Sequence, residues 1–239
     1  ISACLVGSEM CIRDRFEDLK GVIFLNPMHT SEEDGRPKYL PADEYLSGNV
    51  REKLAIAKRS AELHPEDYGE NVRALEAVQP VDLTASEISV RLGATWLTLE
   101  IIEEFMFELF STPRYCQWNI HVHYAQYTGE WNVEGKSYDR SNVKAYNTYG
   151  TGRVNGYKIM EETLNLRDVR IFDYIEDGNG MKTALLNKKE TAIAQGKQEL
   201  IKQAFADWIW SDPERREQLT KLYNEKFNSI RPASMTAAT

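Results

Sequence analysis

Residues 187–232, NKKETAIAQGKQELIKQAFADWIWSDPERREQLTKLYNEKFNSIRP, read as two long amphipathic helices, each with a written start. Asn187 is placed to cap the first, with Glu190 three residues on to reach back to the Asn187 backbone N–H. Ser211 and Glu214 repeat that reciprocal spacing for the second, and Pro213 sits in its first turn, where a missing N–H costs nothing. Ile201, Ala204, Phe205 and Trp208 stripe one helix; Leu219, Leu222, Tyr223 and Phe227 stripe the other. The remaining chain breaks into smaller α and β pieces able to pack against this pair. The expected class is therefore α+β: mostly helical, with two β-hairpins and a long C-terminal helical pair.

Composition narrows the function classes. The 239 residues carry 42% hydrophobic and 28% charged side chains, the balance of a globular chain rather than a disordered one. No apolar run approaches the roughly 20 residues of a spanning helix, so no membrane partner is expected. A net charge of −8 argues against a broad nucleic-acid coat and leaves room for a local basic patch. Of the 3 cysteines, Cys4 and Cys11 lie in an atypical leading segment. Cys116 then stands alone, as a structural thiol suited to a reducing cytoplasm.

Working back from the helical pair, 169–175 and 181–186 form a hairpin across Asp177-Gly178-Asn179-Gly180, a strong turn signal. Upstream, the glycine-rich 147–156 (NTYGTGRVNG) leads into a helix carrying Tyr157, Met160 and Leu164. Backbone amides there, with Arg153, suit a phosphate, but neither the P-loop nor the dinucleotide fingerprint is present. Between 117 and 124, Trp118, Ile120, Val122 and Tyr124 alternate with Asn119, His121 and His123, and a Thr128-Gly129 turn returns the chain through Trp131 and Val133. His121 and His123 share a face at a spacing that suits zinc, without a third ligand nearby in sequence.

Residues 83–110 resemble a helix-turn-helix: Thr84-x-x-Glu87 opens a short helix, Gly93 makes the turn, and 98–110 is the second helix. That second helix carries Glu100, Glu103, Glu104 and Glu108 and no Lys or Arg, so phosphate repulsion argues for packing through Ile101, Ile102, Phe105 and Leu109 rather than base reading. Further upstream, Asn49 with Glu52 starts a helix with Val50, Leu54, Ala57 and Ala61 on one face. His64-Pro65 breaks it before a second helix striped by Tyr68, Val72 and Leu75. Arg51, Lys53, Lys58 and Arg59 make the first of these locally basic. Residues 30–41 read as a loop, and 21–26 (GVIFLN) as a buried strand ended by Asn26-Pro27. That dipeptide resembles the Asn-Pro-Pro-aromatic motif of adenine methyltransferases, but Met28 and His29 replace the second proline and the ring, so it reads as a turn. The first 15 residues, ISACLVGSEMCIRDR, resemble translated sequencing-adapter DNA and are set aside. The expected partition is a non-native segment 1–15, a helical region with an N-terminal strand 16–112, hairpins with an intervening helix 113–186, the helical pair 187–232 and a tail 233–239.

YLPADEYLSGNVREKL (39–54), RLGATWL (91–97), TLNLRDVRIFD (163–173), LNKKETAIAQGKQELIKQAFADWIW (186–210) and DPERREQLTKLYNEKFNSIRP (212–232) together resemble one region of a protein family. These are the large polypeptides of bacteria, phages and mobile genetic elements that join an adenine-specific DNA methyltransferase to a superfamily 2 helicase of the Swi/Snf type. The resemblance implies a fragment lying between the two enzymes, truncated at both ends. It places S-adenosylmethionine, ATP and Mg in the parent and no cofactor and no catalytic residue in this chain. It also implies that the run ending Ser-Ile-Arg-Pro continues Arg-Glu-Tyr-Asp-Gly-Ser-His. One coding of that continuation, read one base later, gives the ASMTAAT of 233–239, hence an expected frameshift after Pro232. Source DNA carrying ASMTAAT in frame with a genuine downstream domain would overturn it.

The functional expectation is a non-catalytic connecting module of a DNA methyltransferase–helicase in the bacterial cytoplasm. Its partners are DNA and the flanking domains, and its duplex-backbone candidates are Arg51, Lys53, Arg153, Arg215 and Arg216. Two alternatives stand beside it: a protein-interaction scaffold without nucleic-acid binding, which the acidic balance favours, and a small metal-dependent enzyme using His121 and His123.

Overall fold

The structure is a computed structural model that describes residues 19, 21–31, 35–176 and 182–232. The readings made for 1–15, for the turn 177–180 and for 233–239 lie outside the described residues. In chain order the elements are β1 (Ile23–Leu25), β2 (Tyr39–Pro41), α1 (Ala42–Tyr45), β3 (Gly48–Asn49), α2 (Val50–Leu63), α3 (Pro65–Ala77), α4 (Leu99–Phe110), α5 (Arg114–Gln117), β4 (His121–Ala125) and β5 (Glu130–Glu134). A π-turn at Lys144–Thr148 precedes α6 (Gly156–Leu164), β6 (Phe172–Glu176), β7 (Lys182–Leu186), α7 (Lys188–Ile209), α8 (Pro213–Phe227) and β8 (Ile230–Arg231). The class is α+β, and among the described residues every sheet is a two-stranded antiparallel pair. No helix among the described residues is long and apolar enough to cross a membrane. The chain forms two compact units, Ile1–Thr84 with Thr220–Thr239, and Ala85–Leu219. The expected boundaries at 112/113 and 186/187 thus both fall inside the second unit.

In the first unit, β1 pairs with β2, Phe24 opposite Leu40, so the stretch expected as loop ends as a strand. Asn26 makes the turn: its Oδ1 accepts the Met28 N–H at 3.0 Å and its Nδ2 donates to the Pro37 carbonyl at 3.0 Å. Asn49 caps α2, accepting the Glu52 N–H at 3.2 Å. Pro65 opens α3, and the two helices close over Phe24, Tyr45, Val50, Ala57 and Leu75. Buried Asn71 is held by the Leu25 carbonyl at 2.7 Å and the Tyr45 hydroxyl at 2.9 Å. Asn224 grips the backbone of Leu83 through both its amide atoms, at 2.8 and 2.9 Å, and Asn228 donates to the Val81 carbonyl at 2.7 Å.

The second unit packs around Ile102, Phe105, Phe110, Tyr157, Met160, Ile201 and Phe205. The expected helix-turn-helix does not form. Residues 85–87 make turns and the rest of 84–90 takes no regular structure, because Ser86, Ser89 and Val90 are poor helix formers around one buried side chain, Ile88. Gly93 (φ +90°) is required for a different reason: a Cβ there would sit 2.2 Å from the Leu164 carbonyl oxygen. In the β4–β5 hairpin Val122 faces Val133 and Tyr124 faces Trp131, turned inward as expected, but the strand starts only at His121. Trp118, expected on the inner face, is 82% exposed.

Both edges of this hairpin are closed by helix side chains. Glu103 of α4 accepts the Val122 N–H at 2.7 Å. Along β5, Glu161 accepts the Val133 N–H at 2.9 Å, and Asn165 pairs with both the N–H and the carbonyl of Trp131 at 2.8 Å. The expected strand 169–175 begins only at Phe172. Residues 167–171 instead run along α7, where Gln198, Gln195 and Thr191 bond the backbone of Arg167, Val169 and Ile171. Asn187 caps α7 through the Glu190 N–H at 3.0 Å, but its own N–H donates to the Ile171 carbonyl, so the reciprocal half of the box is not made. For α8 the cap is Asp212, accepting the Arg215 N–H at 2.7 Å, while the Ser211 hydroxyl turns back to the Trp208 carbonyl.

Candidate nucleic-acid interface

The segment entering α6, the exposed face of α6 and residues 166–174 enclose an open cleft of about 780 Å³ in the second unit. Its cations are Arg153, Lys158, Arg167 and Arg170; Glu162 and Asp168 are its acids, and Phe172 and Tyr174 supply rings. Local sequence chemistry sets each position. The Thr151 hydroxyl accepts the Arg153 and Val154 N–H groups at 3.2 Å, and Asn155 caps α6 by accepting the Lys158 N–H at 2.9 Å. α6 ends in a Schellman closure, with Arg167 N–H on the Glu162 carbonyl and Leu166 N–H on that of Thr163, which leaves Leu166 left-handed at φ +57°.

Most of these charges have partners. Arg153 meets Asp173 at 2.8 Å and the Phe172 carbonyl at 3.1 Å; Arg167 pairs with Glu130. Lys158 bridges Glu161 at 2.6 Å and Glu162 at 2.7 Å. Partial burial works to lower the Lys158 pKa, and the two carboxylates outweigh it, so its pKa is raised. Buried Glu161 also pairs with Lys136. Burial would raise the Glu161 pKa, but Lys136, Lys158 and the Val133 N–H overcome it and hold the carboxyl below its usual value. Arg170 is exposed and has no ion-pair partner among the described residues.

Of the residues expected to touch DNA, Arg153 alone lines this cleft. Arg51 pairs with Asp82 and donates to the Asn228 carbonyl at 2.8 Å. Lys53 closes the C-terminus of α1, its ammonium on the carbonyls of Glu44, Tyr45 and Ser47 at 2.8–3.1 Å. Arg215 lies 3.5 Å from the Trp208 ring centroid and donates to the Trp208 and Ile209 carbonyls, closing α7. Arg216 is exposed, with its Nε on the Trp210 carbonyl at 2.9 Å. Lys158, Arg167 and Arg170 were not foreseen. The first two sit among acids in sequence, and a turn and a helix end bring them together.

His121 and His123 do share a face, with ring centroids 6.4 Å apart. Their imidazoles approach different carboxylates, Glu103 at 3.6 Å and Glu134 at 3.4 Å. Among the described residues no group of three or more His, Cys, Asp or Glu is arranged to hold a metal ion. Beneath the surface, Tyr157 donates to the buried Asp139 carboxylate at 2.8 Å and lies 2.7 Å from the Thr112 hydroxyl. Burial pushes the Tyr157 phenol far up, so it stays a donor. Cys116 is buried there too.

Compared with known proteins, residues 91–229 match the family described as Domain of unknown function (DUF8437). No curated protein and no solved structure matches the chain.

Proposed function

We propose that this chain, which belongs to the DUF8437 family, is a non-catalytic connecting module of a DNA methyltransferase–helicase polypeptide and contacts the duplex backbone. The observation that carries the DNA contact is the cleft of Arg153, Lys158, Arg167 and Arg170. Arginine forks there suit phosphate oxygens, and Arg170 needs no ion pair broken to meet one. The link to the two enzymes rests on the sequence resemblance; S-adenosylmethionine, ATP and Mg belong to the parent in this reading. Arg51 and Lys53 of the first unit and Arg215 of the second hold helix ends and turns, which leaves the cleft as the proposed contact. Arg216 remains exposed beside the α7–α8 turn and is kept as a peripheral contact.

The test is binding of a labelled duplex by the full chain across a salt series. Arg153→Glu with Arg170→Glu should weaken binding and lower the slope of log K against log salt by about two. An unchanged affinity and slope would sink the backbone contact. The parent reading is checked by sequencing through the source locus: an in-frame upstream Asn-Pro-Pro-aromatic motif and a downstream Gly-x4-Gly-Lys-Thr support it.

One observation favours the protein-scaffold reading. The β6–β7 hairpin exposes Phe172, Tyr174, Ile175, Leu185 and Leu186 on strands with little burial of their own. A two-stranded ribbon of that kind is marginal in water and gains from being covered by a neighbouring domain. Absence of binding to any DNA at low salt would leave this reading in place of the first.

A further inference from the structure

Residues 110–119 and 135–144 run side by side in opposite directions in the second unit. Asn142 donates to the Phe110 carbonyl at 2.9 Å, Lys144 to the Ser111 hydroxyl at 2.7 Å, and the Cys116 thiol to the Tyr138 carbonyl at 3.8 Å. At the far end Gly135 (φ +70°) lies so close that a Cβ there would fall 1.8 Å from the Asn119 carbonyl oxygen. The two segments therefore present one surface, and its composition is unusual for this chain. Trp118 is 82% exposed, Tyr115 71% and Tyr138 63%. The same two segments carry exposed Arg114 and Arg140, neither with an ion-pair partner among the described residues, and exposed Lys144. The chain carries 37 acidic residues, yet the two segments hold a single one, Asp139, and it is buried.

Grouped exposed aromatics mark a binding surface. Three exposed rings and three exposed cations on two paired segments, with no exposed acid in either, match the two needs of an unpaired nucleic-acid strand: π-faces for its bases and positive charge for its phosphates. A protein partner would use the rings equally well, but clearing carboxylates from this surface in a chain of net charge −8 favours a polyanion. We propose that this face binds an unpaired nucleic-acid strand, with bases stacked on Trp118 and Tyr115 and phosphates met by Arg114, Arg140 and Lys144. The inference deepens the nucleic-acid reading above, yet it uses a different surface from the Arg153 cleft, so the two can fail separately.

The experiment is fluorescence anisotropy of the full chain with labelled oligothymidylate and oligouridylate of about 20 nucleotides at about 20 mM salt. Trp118→Ala with Tyr115→Ala should weaken binding about tenfold or more, while Trp118→Phe with Tyr115→Phe stays within about threefold, because a ring still stacks. Both positions are exposed, so folding is spared, and circular dichroism checks it. Binding of either strand with this pattern supports the proposal; equal affinity for the two strands assigns it to stacking and phosphate contact without the 2′-hydroxyl. Binding that survives the alanine pair unchanged overturns it. So does the absence of saturable binding to both strands, which would leave the face to a protein partner. Duplex titrated alongside separates the readings: duplex binding lost in Arg153→Glu with Arg170→Glu, without strand binding, keeps the cleft and removes this face.

Discussion

Leu166 shows most directly how a single residue is held against its preference. It takes the left-handed position that closes α6, where glycine is usual, and its side chain is 58% exposed. A β-carbon in that region costs about 1–2 kcal/mol, and little burial offsets it. Leu166→Gly should therefore stabilise the chain by about 1 kcal/mol in urea denaturation. A loss of stability instead would show that Leu166 is held by packing rather than tolerated at a strained turn. Gln198 and Thr191 teach the complementary lesson. A period-of-3.6 reading turns polar side chains of a helix toward solvent, yet both are buried in α7 because residues 167–171 need hydrogen-bond partners. Nothing in the local pattern around Gln198 announces that need. It arises from an extended segment more than twenty-five positions away.

At the scale of elements, helix starts written by short-range chemistry are legible. Asn49, Asn155 and Asn187 all accept the N–H three residues on. The second helix of the C-terminal pair starts where Pro213 put it, with Asp212 as the cap instead of its neighbour Ser211. Hairpin β4–β5 is legible too, from its alternation, but not what closes its edges. A two-stranded ribbon leaves unpaired N–H and carbonyl groups on both sides, and here Glu103, Glu161 and Asn165 take them.

Glu161→Gln tests that closure. It removes the charge from two ammonium contacts and should cost about 2 kcal/mol at neutral pH. The folded-state pKa of Glu161 is depressed below the ordinary glutamate value of 4.5, so its contribution is fully present above about that pH. It is lost as pH falls through the folded value. The wild-type advantage over Glu161→Gln should accordingly shrink in denaturation curves taken below pH 4.5 and persist above it. A constant difference across that range would mean that the carboxylate charge does no stabilising there.

Over the whole molecule, two cores form, one around Phe24, Tyr45 and Leu75 and a larger one around Phe105, Tyr157 and Phe205. The net charge of the chain vanishes near pH 5.2, which lies above the range in which Glu161 titrates. Self-association should thus peak near pH 5.2 with native near-ultraviolet dichroism, and acid unfolding should follow at lower pH. Light scattering that rises together with loss of the dichroism would contradict that order.

The amino-acid sequence by itself determined the class, the placement of most helices, both hairpins and the turn at Asn26-Pro27. Those features depend on neighbours within a few residues: caps, prolines, glycine turns and the two hydrophobic periods. The tertiary structure alone decided where the cations are held. It consumed Arg51, Lys53 and Arg215 at helix ends and turns, and gathered Arg153, Lys158, Arg167 and Arg170 into a cleft. It also left Trp118 in water, where alternation had turned it inward. A long cationic side chain reaches any carbonyl or carboxylate that folding brings near, and sequence spacing does not record that distance.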